Sequence, residues 1–157
     1  MGLRTLSNLK NVNRTFDNVL DSVQLNLIEN ETISAARTLT NEDSGKVFFV
    51  SMASAYDITL PLMSTITSGW NAKFIISVAD TNAVNIINNS AEDTIVGMVA
   101  TAEVAASADA SATAESAVDS ITFISGAQLG DTVTIISNGT NYFATGMAHD
   151  IAHIEIV

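Results

Sequence analysis

"ITFISGAQLGDTVTIISNGTNYFATG", residues 121–146, decides the fold, because it holds three apolar runs of strand length with a turn signal between each pair. Ser125-Gly126 and Leu129-Gly130-Asp131 punctuate the first gap, and Asn138-Gly139-Thr140-Asn141 the second. In the middle run Val133 and Ile135 fall on one face of a pleat while Thr132, Thr134 and Ile136 fall on the other. That period of two is what a half-buried strand requires. Asn-Gly between β-branched runs favours a hairpin, since both residues accept the positive φ of a tight turn. The stretch predicts a β-meander, and the chain is expected to be mainly β.

Working outward, "AYDITLP" alternates Tyr56, Ile58 and Leu60 with Asp57 and Thr59, and Pro61 ends the ladder by removing a donor. "SGWNAKFIISVAD" is the clearest alternation: Trp70, Ala72, Phe74, Ile76 and Val78 on one face, Asn71, Lys73, Ile75 and Ser77 on the other. The first set is expected to form the aromatic centre of the core. Further strands are expected from Ile33 to Leu39, from Lys46 to Val50, in "AVNIINNS" and in "DTIVGMV", with "NEDSG" and Asn88-Asn89 as turns.

Two segments fit this pattern less well. From Leu9 the apolar residues Val12, Phe16, Val19, Val23 and Leu27 recur at spacings of three and four, as on one helical face. Asn8, Asn11, Asn13, Asn18 and Asn26 compete for backbone hydrogen bonds and weaken a helix there. Residues 1–31 are therefore read as an N-terminal arm, a short helix or an irregular segment ordered on a neighbour, and residues 32–157 as one β domain. The second segment, 99–118, is Ala-rich with only acidic charges. Ala favours helix, but the position between strands favours a protruding strand-and-loop insertion. The tail "HIEIV" alternates as a final strand.

Composition narrows the function. Six Lys and Arg against 17 Asp and Glu give a net charge of −11, yet the arm carries Arg4, Lys10 and Arg14 with no acid before Asp17. An acidic body repels phosphate backbones, so nucleic acid is not expected as a partner. Cysteine is absent, which removes disulfides, thiolate metal sites and a cysteine nucleophile. No apolar run approaches the roughly 18 residues of a membrane helix and no leader opens the chain, so the expectation is a soluble, unexported protein. Ile, Val and Thr make 46 of 157 residues and mean hydropathy is +0.31, an apolar excess that burial between subunits would explain.

"TLTNEDSGKVFFV", "YDITLP", "SGWNAKFII" and "LGDTVTIISNGTNYFATG", in this order over about residues 38–146, resemble a β module recurrent in head-decoration and fibre subunits of tailed-phage virions. The resemblance implies an all-β chain, a single antiparallel β-barrel or sandwich-like domain that trimerises. It implies a structural role as a capsid decoration or cement protein, made in the host cytoplasm, that binds the major capsid protein on the outer virion surface and stabilises the head. The alternative it leaves open is a fibre or tail module recognising a host-surface glycan. In the decoration reading the arm grips the shell, through apolar contact from Leu9, Val12, Phe16 and Val19 and pairing by Arg4, Lys10 and Arg14.

Catalytic chemistry is not expected, and no cofactor is implied. His149 and His153 have the i, i+4 spacing of two ligands on a helix, but on a strand that spacing separates them by about 13 Å. They are read as solvent or interface histidines. No "GxSxG" elbow accompanies them. The pairs Glu42-Asp43 and Glu92-Asp93 lie in turn-like stretches where carboxylates cap and solvate. Asp131 in "LGDT" is expected to order its turn, since the regular oxygen ligands of a calcium loop are missing.

Overall fold

The computed structural model describes residues 28–90, 94–101 and 112–157, and for 112–116 and 151 the backbone alone. Twelve strands occur among them: β1 (Asn30–Ile33), β2 (Arg37–Thr38), β3 (Val47–Ser51), β4 (Tyr56–Thr59), β5 (Asn71–Val78), β6 (Val84–Ile87), β7 (Ile95–Thr101), β8 (Ala112–Val118), β9 (Ser120–Phe123), β10 (Thr132–Ser137), β11 (Tyr142–Ala148) and β12 (Ile154–Ile156). The large sheet has the order β1-β3-β5-β10-β11-β7-β8, and the small one β12-β9-β6-β4-β2. Neither closes into a barrel among the described residues, and one apolar cluster fills the space between them. The chain is thus an all-β, sandwich-like protein.

The two sheets are mixed rather than antiparallel throughout, and the reason lies in how the chain winds. From β1 to β6 successive strands alternate between the sheets, so each sheet receives every second strand running the same way. β1, β3 and β5 are therefore parallel neighbours, and so are β2, β4 and β6. Parallel neighbours require a crossover, and here each crossover is a strand of the opposite sheet. The predicted strand from Ile33 to Leu39 is one such passage: it breaks into β1 and β2 on opposite sides of the core. Tyr56 bridges it, placing its hydroxyl 2.7 Å from the Ile33 carbonyl and 2.9 Å from that of Ser51. Burial pushes the Tyr56 phenol up to about 12, so it stays a donor at all ordinary pH.

The predicted meander is corrected in the same way. Val133 and Ile135 are buried, Asn138-Gly139 makes the turn with Gly139 at φ +89°, and β10 pairs with β11 from Thr132↔Met147 to Ser137↔Tyr142. The preceding run, β9, instead joins the small sheet between β6 and β12. The connection from Ile124 to Asp131 is too long for a tight hairpin, and it carries the chain across the sandwich.

The aromatic centre forms as the alternation in β5 predicts. Trp70, Ala72, Phe74 and Ile76 are buried. Phe74 stacks on Phe48 with centroids 5.5 Å apart, and Trp70 meets Tyr142 edge-on at 5.9 Å. Val78 departs from the pattern: it is exposed, at a bulge where β3 skips Ser77 to pair Ser51 with Val78. At Gly146 on β11 a side chain is excluded, because a Cβ there would stand 2.9 Å from a Val99 methyl and 3.3 Å from the Thr132 carbonyl.

β1 starts at Asn30, two residues before the expected domain boundary. The Ala-rich segment is strand at both ends, since β7 runs to Thr101 and β8 returns antiparallel along it at the edge of the large sheet. Residues 102–111 between them lie outside the described residues.

Candidate functional site

The outward-facing positions of the five inner strands of the large sheet, β3, β5, β10, β11 and β7, fall in three rows set by the strand registers. Asn71, Ile136, Phe143 and Val96 form the first, Val47, Lys73, Thr134, Thr145 and Met98 the second, and Phe49, Ile75, Thr132, Met147 and Ala100 the third. Lys73 is the one charged residue in these rows, in a chain whose net charge is −11. Met147 is 65% exposed, Ile136 and Met98 49% and Phe143 39%; Ile136 and Phe143 pair across β10 and β11 in the first row, with Met98 in the second and Met147 in the third. Outer faces of sandwiches are ordinarily polar, and an apolar surface of this extent marks a contact site.

The outer face of the small sheet is of the opposite character. Asp57, Asn85, Thr122 and Glu155 stand side by side across β4, β6, β9 and β12. The Asn85 amide donates to Asp57 at 2.7 Å, and the Thr122 hydroxyl donates to Asn85 at 2.9 Å. Such a ladder satisfies its polar groups internally and tolerates water.

Two buried carboxylates hold the ends of the body. Asp131 has no exposed surface. One oxygen accepts from the backbone N–H of Gln128 at 2.8 Å, closing the predicted turn, and the other from that of His149 at 2.9 Å. His149 Nδ1 lies 2.6 Å and His153 Nδ1 3.0 Å from the same carboxylate, the latter at ion-pair distance without hydrogen-bond alignment. The expectation of two separate solvent or interface histidines is thereby corrected. β11 ends at Ala148, and the 3-10 turn Ile151–His153, capped by the Asp150 side chain on Ala152 N–H, folds the second ring back onto Asp131. The cluster fastens the root of β12 to the start of β10. Its contacts are structural, and no group of three or more His, Cys, Asp or Glu among the described residues is arranged to hold a metal ion.

Asp43 anchors the other end. Arg37 Nη2 and Lys46 Nζ lie 2.8 and 2.9 Å from one oxygen, Thr40 N–H donates to the second at 2.9 Å, and Arg37 also pairs with Glu31 while lying over the Phe48 ring. Burial opposes ionisation of Asp43, but the hydrogen bonds from Lys46 and Thr40 and the charge of Arg37 outweigh it and hold the carboxyl below 3.8. A depressed folded-state value contributes stability that is present above the unfolded value and lost as pH falls through the folded one. Acid unfolding followed by circular dichroism from about pH 5 to about pH 2 should therefore be shallower in Asp43→Asn than in the parent. Equal slopes would remove Asp43 as a source of acid sensitivity. Glu42 lines a shallow groove with Leu39, Thr40, Asn41, Leu62, Thr65 and Asn89, and among the described residues no pair of carboxylates faces across it.

The residues expected to bind a capsid, Arg4, Leu9, Lys10, Val12, Arg14, Phe16 and Val19, lie outside the described residues, as do Glu92 and Asp93. Sequence reading missed the large-sheet face, although Phe143 and Met147 fall in "NYFATGM" at the alternation that places them opposite Tyr142 and Ala144. Among the described residues no helix is long and apolar enough to cross a membrane. No family model, curated protein or solved structure matches the chain.

Proposed function

We propose that the chain is a structural virion protein, a trimeric capsid-decoration subunit that binds the major capsid protein through residues 1–31 and stabilises the head from its outer surface. The observation that carries this reading is the contrast between the outer faces, one largely apolar with Lys73 as its single charge, the other acidic and internally hydrogen-bonded. A body built this way has one side to bury in an assembly and one to leave in water. The carboxylate clusters tie strands together, in keeping with a passive role. Among the described aromatic residues Phe143 alone is strongly exposed, while Trp70, Tyr56 and Tyr142 are buried. Sugar sites need exposed rings for stacking, so the glycan-binding fibre module is the less supported alternative.

Attachment is tested by deleting residues 1–27, which leaves in place β1 and the core residues found among the described residues. The truncated protein should stay folded and should no longer co-sediment with shells of the major capsid protein. In the full chain, Phe16→Ala should weaken attachment by about 1–3 kcal/mol, the scale of one large buried apolar side chain. Added salt should weaken binding only in part, because screening acts on Arg4, Lys10 and Arg14 and leaves apolar burial intact. Undiminished shell binding by the truncation would sink the arm as the anchor. A truncation that lost its trimer and kept the shell would make the arm a stalk.

A further inference from the structure

We propose that the Asn138-Gly139 turn is a site of self-catalysed deamidation, at which the folded hairpin converts Asn138 into an aspartyl residue. This modification is independent of the decoration reading above.

Asn138-Gly139 is the only Asn-Gly step in the chain. Both residues are exposed at the tip of the β10–β11 hairpin. Gly139, at φ +89°, presents a backbone nitrogen with no side chain beside it to obstruct the neighbouring carboxamide. Asn71 and Asn85 lie instead within β5 and β6, and a residue with a side chain follows each.

The turn aims polar groups at the reacting atoms. Asn138 Oδ1 accepts the N–H of Thr140 at 2.9 Å and that of Asn141 at 2.8 Å. Two backbone donors converging on a carbonyl oxygen stabilise the negative charge that develops there under attack, as in an oxyanion hole. On the nucleophile's side, the Gly139 N–H donates to Ser137 Oγ at 2.9 Å. The Ser137 hydroxyl donates its own proton to Met63 Sδ, 3.1 Å away, which leaves its lone pairs to Gly139.

In the reaction the Gly139 nitrogen bonds to Asn138 Cγ and closes a succinimide ring. The nitrogen's proton leaves by way of Ser137 Oγ and water and is returned to the amide nitrogen, the Cγ–Nδ2 bond breaks, and ammonia departs. Water then opens the ring at either carbonyl, giving aspartate or its isoaspartyl isomer at position 138. One water is consumed and one ammonia released, and each chain gains one negative charge beyond its −11. In the aspartate product the same two N–H groups donate to a carboxylate, a stronger pairing than with an amide.

The test follows Asn138 by peptide mapping and mass spectrometry in the folded full-length protein over days at mildly alkaline pH, with the same chain unfolded in urea as reference. The mass gain of replacing the amide NH2 by OH should appear at position 138 about tenfold faster in the folded protein, less than the effect of such donors in a closed active site because the turn faces water. Asn71 and Asn85 should stay unchanged. Thr140→Pro keeps the Asn-Gly step but removes one of the two donors, and should slow the folded rate by about threefold. A folded protein that keeps Asn138 as long as the unfolded chain does, or longer, would overturn the proposal, and so would a Thr140→Pro variant with parental circular dichroism and the parental rate. If Thr140→Pro alters the circular dichroism, the comparison of folded with unfolded parent decides alone.

Discussion

Asp131→Ala is expected to lower the unfolding free energy by about 3–5 kcal/mol, because it removes a buried acceptor on which two backbone donors converge. The carboxylate is fully buried and serves four groups at once: the N–H of Gln128, the N–H of His149, and two imidazole nitrogens. Alanine leaves two backbone donors without their acceptor, at about 1–3 kcal/mol each. It also releases the turn before β10 and the root of β12 together. In a domain of this size the loss should appear as a fall in Tm of about 2–4 °C per kcal/mol. Asp131→Asn keeps the shape and one acceptor and should lose less. His149→Ala should also lose less, because that ring is half exposed and the carboxylate keeps its other partners. Urea unfolding of the three variants checks the order, and an Asp131→Ala cost below about 1 kcal/mol would show the cluster to be dispensable.

Trp70→Ala should cost about as much, 3–5 kcal/mol, the range for deleting a large aromatic from a packed core. Trp70 sits at the mouth of β5 with its indole N–H donating to the Thr40 carbonyl at 3.0 Å and its ring edge-on to Tyr142. Tyr142 in turn donates its hydroxyl to the Pro61 carbonyl at 2.5 Å. These contacts join the capped turn that holds Asp43, the end of β4 and the β10–β11 hairpin. Trp70→Phe retains most of the volume but removes one of the two donors to the Thr40 carbonyl, leaving the Asp43 N–H at 3.2 Å, so it should fall between the parent and Ala. Thermal unfolding must be followed by circular dichroism, since Trp70 is the only tryptophan. Loss confined to below about 1 kcal/mol in Trp70→Ala would place the stabilising contacts elsewhere.

Much of the fold was legible because alternation is a local property. β4, β5, β10 and β11 each announce their buried face through side chains two residues apart, and the Asn138-Gly139 turn announces the single tight hairpin. What pairs with what was not legible. Ile121 and Phe123 read as the first strand of a meander because nothing local distinguishes a neighbour in the same sheet from one across the core. The parallel pairings had no signal for the same reason, since the crossovers are themselves strands and carry no helical period. The histidine spacing misled because it was measured along one continued strand, whereas Asp150 caps a turn that ends it and Asp131 lies far away in sequence. The apolar outer face was half legible: Thr132, Thr134 and Ile136 were placed on the face opposite Val133 and Ile135, but an Ile, Phe or Met there becomes a surface only when the registers set it beside its neighbours.

The coiled path of β1 to β6 also governs how quickly the protein can form. Asn30 must find Val47, Val47 must find Lys73, and Tyr56 must find Val84, and none of these pairs can form until the intervening strand has crossed to the far side. Each step closes a long loop before any contact repays the lost chain entropy. Among the described residues the β10–β11 hairpin is the one tight local pairing and a natural place for folding to begin, with β5 joining it along β10. Refolding from urea should therefore run in the milliseconds-to-seconds range of non-local β proteins. During that interval the edges of β5 and β11 stand unpaired, which makes the nascent subunit most prone to misassociation before its coil is wound.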